Sequence, residues 1–293
     1  MIESLPANLQ SLHVGEESIR LQALDAVLSH ESRSLHVITL ERAMDALEYF
    51  ARSGVAKSQE DKAFQLLGAR LFNGSAAALK LLFSGYYQAS ASQVRDVLET
   101  AFLVSYIAGQ QGLILEWWEA DRKQRKAKFS PVAVRTALDK RDGFTEMKRA
   151  EQYRLLSTFA SHPHPSGFQL LRPSGQTLAR IGPFFDAATM DVVLAEMCRS
   201  VIPAASSFLR HFEAVGRTDH LMKLSYFEAA GLWLERFTGR TYDASAVNET
   251  RAMAMRLPAD DATATSQRAS RLDAAMDKRA RKAAKRRMKA GRP

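Results

Sequence analysis

The sequence predicts an all-α protein: a multi-helix bundle with one minor β-hairpin and a basic C-terminal tail. Three observations lead there. Apolar residues recur at helical rather than strand spacing along most of the chain. Helix-start signals stand where those patterns begin, at Ser58-Gln-Glu-Asp61 and at Ser130-Pro131. Positive charge gathers at one end of the chain.

Taken in order, Glu16 to Ser29 reads as the first helix, with Ile19, Leu21, Leu24, Val27 and Leu28 on one side. Leu35 to Ala51 is the second and stops before Ser53-Gly54. Ser58 places a hydroxyl before the third pattern and Asp61 a carboxylate three residues on, the two halves of a capping box. That helix runs from Lys62 to about Ser84, with Gly85 a weak point and Ser90 its outer limit. Gln93 to Ala108 follows. Val97, Leu98, Ala101, Phe102, Val104 and Ile107 leave it no fully polar face, so it is expected to be buried.

Leu113 to Lys126 carries Trp117 and Trp118 and then a basic run. Ser130-Pro131 opens a helix that stops near Asp142-Gly143. Phe144 to Ser161 is the next. His162-Pro163-His164-Pro165 must leave it, because each proline disfavours α conformation in the residue before it. Phe168 to Ile181 is the β candidate: FQLLR and TLARI flank Pro173-Ser-Gly-Gln176, the pattern of a hairpin. Asp186 to Val215 returns to helix, with Pro203 expected to kink it. Thr218 to Phe237 is the last strong pattern. The chain divides into a bundle domain (1–256), a small polar linker (257–270) and a basic tail (271–293), helical or disordered.

Hydrophobic residues make up 46% of the 293 and charged residues 25%, as in ordinary globular proteins. Cys198 is the single cysteine, so no internal disulfide forms. MIESLPANLQ lacks the basic start and apolar run of a signal peptide. The most lipid-like stretch, Ala101 to Leu115, is broken by Gly109, Gln110, Gln111 and Gly112, short of the ~18 apolar residues a membrane helix needs. The expectation is a cytoplasmic protein with no membrane partner. The net charge of +9 misleads as a whole-chain property. Residues 271–293 hold ten Lys or Arg and two Asp, whereas the other 270 hold 31 basic and 30 acidic side chains. The body is nearly neutral and the charge is a tail.

No G-x-S-x-G elbow, Walker loop or G-x-G-x-x-G occurs. His162 and His164 could both ligate a metal, but a usable site needs three or four ligands. The other histidines are scattered at 13, 30, 36, 211 and 220. No metal and no cofactor are expected. The strongest polar signal is Arg95 with Glu99, one turn apart on the buried helix. One reading is an ion pair joining helices; losing one partner of a deeply buried pair costs about 3–5 kcal/mol. The other is a polar pocket with Tyr106 at its edge. Tyr153, Ser157 and Ser161 lie along one face of their own helix, with Arg154 adjoining. Face to face, the two helices would gather two arginines, a carboxylate and several hydroxyls, a set suited to an anionic ligand or a scissile phosphate.

Gly85-Tyr86-Tyr87-x-Ala89, Arg95-x-x-x-Glu99, Tyr153-x-x-x-Ser157 and His162-Pro163 together resemble a bacterial helical family catalogued only as a domain of unknown function. The resemblance spans roughly Leu66 to Asp186 and implies a helical bundle with no established activity. The chain also resembles, more weakly, the HEPN ribonucleases. These are helical bundles whose signature is an arginine and a histidine four to six residues apart. They cut RNA without metal, commonly across a dimer interface. Here seven residues separate Arg154 from His162, the two catalytic candidates.

The tail is rich in Ala, Lys and Arg, all strong helix formers. Its candidate contacts to RNA or DNA are Arg271, Lys278, Arg281, Lys282, Lys285, Arg286 and Lys289. Such contacts neutralise phosphates and carry no sequence information. No aromatic is interleaved to stack on bases. The expected function is therefore an interaction protein with a nucleic-acid-binding tail. A protein partner is also allowed, the oligomeric state is open, and a HEPN-like ribonuclease is the alternative.

Overall fold

The structure is a computed structural model that describes residues 6–52, 58–146, 148–161 and 164–258. His162 and the whole of the tail lie outside the described residues, as does the linker beyond residue 258. All regular structure among the described residues is helical. The helices are α1 (Ala7–Leu28), α2 (Glu31–Arg52), α3 (Gln59–Phe83), α4 (Tyr87–Ile107), α5 (Leu113–Glu119) and α6 (Arg122–Lys128). They continue with α7 (Pro131–Arg141), α8 (Lys148–Leu156), α9 (Ala187–His211), α10 (Arg217–Thr238) and α11 (Ala244–Met255). A π turn at Ser157–Ser161 and a 3-10 helix at Pro165–Leu171 lie between α8 and α9.

Four long helices make the core. α3 packs on α4, α4 and α2 on α9, and α2 on α3; α10 covers the outer side of α2, and α7 and α8 cover α4. Phe50, Leu71, Leu98, Phe208 and Tyr226 are fully buried at their contacts. By length and mean hydropathy α3 and α9 match a membrane span, although no single apolar run does. α9 is the core helix, most of its apolar residues buried in the bundle.

The capping signals are realised. Ser58 Oγ accepts from the Asp61 amide at 3.1 Å, and the Asp61 carboxylate accepts from the Ser58 amide at 3.1 Å. The same carboxylate meets His211 Nε2 at 2.9 Å, so one side chain caps α3 and ties down the end of α9. Ser130 accepts from the Ala133 amide at 3.3 Å and starts α7.

Gly85-Tyr86-Tyr87 forms the corner between α3 and α4. Gly85 sits at φ +82, and a Cβ there would lie 2.5 Å from the Phe184 carbonyl oxygen. Only glycine combines that backbone with that approach. The Tyr86 hydroxyl donates to Glu16 of α1 at 2.8 Å. The Tyr87 hydroxyl accepts from the Asp186 amide at 2.7 Å. Asp186 in turn caps α9, accepting from the Thr189 amide at 2.8 Å, and holds Ser174 through amide and hydroxyl. Burial raises the Asp186 carboxyl, but these donors outweigh it and leave the pKa below the usual value.

Several expectations need correction. The hairpin at 168–181 does not form: Pro165–Leu171 is a 3-10 helix, and a single backbone bond, Arg180 N–H to the Leu171 carbonyl at 2.8 Å, joins the two segments. Leu178 and Ile181 are exposed, so the alternation that suggested a strand faces no core. The helix from Leu113 to Lys126 is two helices, because Asp121 and Gln124 form a capping box that restarts the chain after Ala120. The helix expected from Phe144 starts only at Lys148; it reaches Ser161 as expected, but its last turn, Ser157–Ser161, is π rather than α. α11, unassigned in sequence, packs on α10 and buries only Ala254. α9 includes Pro203, as expected, and ends at His211 rather than Val215.

Candidate functional site

The polar cluster forms where α4 faces α7, α8 and the π turn. α4 buries Val94, Val97, Leu98 and Ala101 and thereby turns Arg95 and Glu99 toward the covering layer. Arg95 Nε donates to Ser157 Oγ at 2.9 Å, and Nη2 donates to Glu99 Oε1 at 3.1 Å. The Tyr153 hydroxyl donates to the same Glu99 oxygen at 2.7 Å and also contacts Arg95 Nη2. The Arg95 guanidinium carbon lies 4.7 Å from the centre of the Tyr153 ring.

Four of the residues singled out in sequence therefore meet: Arg95, Glu99, Tyr153 and Ser157. Two others do not. Tyr106 is half-buried and meets Phe129 edge-on at 6.3 Å. Arg154 is exposed, and among the described residues it has a loose contact with Glu151 at 4.0 Å. Adjacent helical residues point about 100° apart, so a helix that turns Tyr153 inward turns Arg154 outward. His162, its expected partner, lies outside the described residues. His164, also exposed, accepts from the Ser166 amide at 3.2 Å and caps the 3-10 helix. Among the described residues no cluster of three His, Cys, Asp or Glu could hold a metal.

The second arginine in the cluster is one that sequence reasoning missed. Arg135 of α7 stacks on the Tyr153 ring, its guanidinium carbon 3.9 Å from the ring centre. The buried neighbours Val134 and Leu138 turn this face of α7 inward. The only signal in sequence was that three-to-four-residue apolar spacing, which says that the face is buried but not what it meets.

Arg95 and Glu99 are at the rim of the core, their side chains 22% and 26% exposed. The expected effect of breaking the pair is correspondingly smaller than for a sealed one. Glu99→Ala should lower stability by about 1–2 kcal/mol, the effect of two donors losing an acceptor with water nearby. Urea denaturation of the variant checks this; a loss beyond about 3 kcal/mol would mean that the rim is dry.

Two hollows adjoin the cluster. One, of about 450 Å³, lies between α4, the π turn and α9, with Ala91, Val94, Leu156, Phe159, Leu170 and Val193 in its walls. The other, of about 340 Å³, has Glu99 at its wall together with Phe102, Trp117, Phe129 and Arg70. Beside the first, the carbonyl of Ala160 ends the π turn. It accepts from Gln88 Nε2 and Ser92 Oγ of α4, each at 2.6 Å, which satisfies a carbonyl that the ended helix leaves without a partner.

No family model, curated protein or solved structure matches the chain.

Proposed function

We propose that the protein is a cytoplasmic, bacterial, helical interaction protein that engages RNA or DNA through its basic tail. The observation that carries this reading is the segregation of charge: ten basic and two acidic residues in 271–293, against 31 and 30 in the rest. A nearly neutral body joined to a strongly basic end concentrates phosphate attraction in one segment. The bundle supports the reading by what it does with Arg95. Its donors go to Glu99, Tyr153 and Ser157, which makes the pair a clamp between α4 and the α8 segment. The ribonuclease alternative draws no support from Arg154, which stands in solvent away from that cluster.

Removal of everything after Ser270 tests the proposal. Full-length protein should bind duplex DNA with a log–log salt slope of roughly −5 to −7 if six to eight phosphates are engaged. The truncated protein should lose most of that affinity, and duplexes of different sequence should bind alike. Charge reversal at Arg281, Lys282, Lys285 and Lys289 should mimic the truncation without changing the melting of the bundle. Equal affinity of the full-length and truncated proteins would place the site on the body instead.

A further inference from the structure

Arg135 is buried, with 8% of the residue exposed, and its Nη1 has no hydrogen-bond partner. Among the described residues it forms no ion pair. The carboxylates of this face hold other donors, Glu99 Oε1 those of Arg95 and Tyr153 and Asp139 Oδ1 that of Arg149 at 2.7 Å, and neither pairs with Arg135. Among the described residues its favourable polar contact is the face of the Tyr153 ring. A ring face attracts the charge but offers no lone pair in the plane of the guanidinium.

A buried charge without an acceptor is strongly disfavoured, and an arginine cannot escape by losing its proton at any ordinary pH. Neither is there a spare negative charge close by. The positive groups of this face, Arg95, Arg135 and Arg149, outnumber the carboxylates Glu99 and Asp139 that answer them. Asp142 does not alter this for Arg135, since Arg141 and Arg149 share it. None of these side chains brings an acceptor to Nη1.

We propose that Arg135, beside Tyr153 and Arg95, binds the oxyanion group of a small molecule, a carboxylate or a phosphate. The planar fork of a guanidinium presents parallel donors to two oxygens of such a group. Tyr153 holds the fork in place, and its ring is fixed from the other end by the bond from its hydroxyl to Glu99. The side chains named here belong to α4, α7 and α8 of the bundle, not to the tail.

The test is thermal melting of the full-length protein at constant ionic strength, with sodium phosphate or sodium acetate replacing part of the sodium chloride. At about ten times the dissociation constant, the bound anion should raise the wild-type melting temperature by about 3 °C. Arg135→Met should abolish that rise and, in chloride alone, melt no lower than the wild type, because it removes a stranded charge. Arg135→Lys keeps the charge without the fork and should retain a smaller rise. Phosphate also stabilises proteins generally by exclusion from their surface, and phosphate gathered by the tail adds to this. Both effects act alike on wild type and variant, so the difference between them is the readout. A larger rise with phosphate identifies a phosphate site, and a larger rise with acetate a carboxylate site. Equal rises in wild type and Arg135→Met, or none with either anion, would overturn the proposal. So would an Arg135→Met protein that melts well below the wild type in chloride, since the guanidinium would then have its partner within the chain.

Discussion

Gly85→Ala should destabilise the protein by about 3 kcal/mol, a fall in melting temperature of roughly 6 °C. Two effects add. An L-residue at φ +82 is strained by about 1–2 kcal/mol. The new methyl would also lie 2.5 Å from the carbonyl oxygen and 2.8 Å from the amide nitrogen of Phe184. Those are backbone atoms and cannot turn aside as a flexible side chain would. Relief requires the chain at Phe184 to move, yet Asp186 two residues on is held by Tyr87 and caps α9. Gly109→Ala separates the two effects: Gly109 has φ +78 and nothing within 4 Å of a new Cβ. It should cost only the conformational part. Urea denaturation of both variants measures the difference, and equal losses would refute the contact with Phe184.

Acid should weaken the bundle in two stages, the first of them owed to His36. Burial pushes its pKa from the ordinary 6.5 down to about 4, with Asp191 opposing the shift and Arg199 assisting it. Its Nδ1 accepts from Trp233 Nε1 at 2.7 Å, and its ring stacks on Phe237 at 4.4 Å. The native state therefore holds the neutral imidazole. A group whose pKa is lowered on folding, and which is charged below that pKa, favours the unfolded chain as pH falls. Stability is full above pH 6.5, declines between 6.5 and 4, and levels off below. The loss over that window is about 3 kcal/mol. Carboxylates lowered by their partners contribute later: Asp142, mainly through Arg141, and Asp186 act below the usual carboxylate range. Urea titrations at about pH 7 and about pH 4.5, which bracket most of the window, show the first stage. His36→Gln removes the titrating group and keeps an oxygen to accept from Trp233. It should start lower but lose less between the two pH values; equal losses in the two proteins would remove His36 from the account.

The helices were legible in sequence because their burial repeats along the chain. Ser58, Asp61, Ser130 and Pro131 marked starts correctly because capping is a local transaction between a side chain and amides one turn away. What failed depended on distant residues. α4 begins at Tyr87, six residues before the expected start at Gln93, because the corner around Gly85 and Phe184 defines where the chain can turn. The alternation in 168–181 resembled strands, but Leu178 and Ile181 had no sheet or core to face. Of the candidate site, the α4–α8 half was readable from Arg95, Glu99, Tyr153 and Ser157. Arg154 was read as the second arginine because it neighbours Tyr153 in sequence. In space it is the approach of α7 that supplies the arginine, and no local pattern records that approach.

The carbonyl of Ala160, held by Gln88 and Ser92, restricts how the covering layer can move. The two donors stand one turn apart on α4, about 6 Å along its axis, and converge on a single oxygen. Apolar contacts between helices tolerate a slide of one residue, about 1.5 Å. This contact does not, since a slide toward one donor stretches the bond to the other. The π turn acts as a register stop. A slide of the α8 segment along α4 would have to break one of these two bonds.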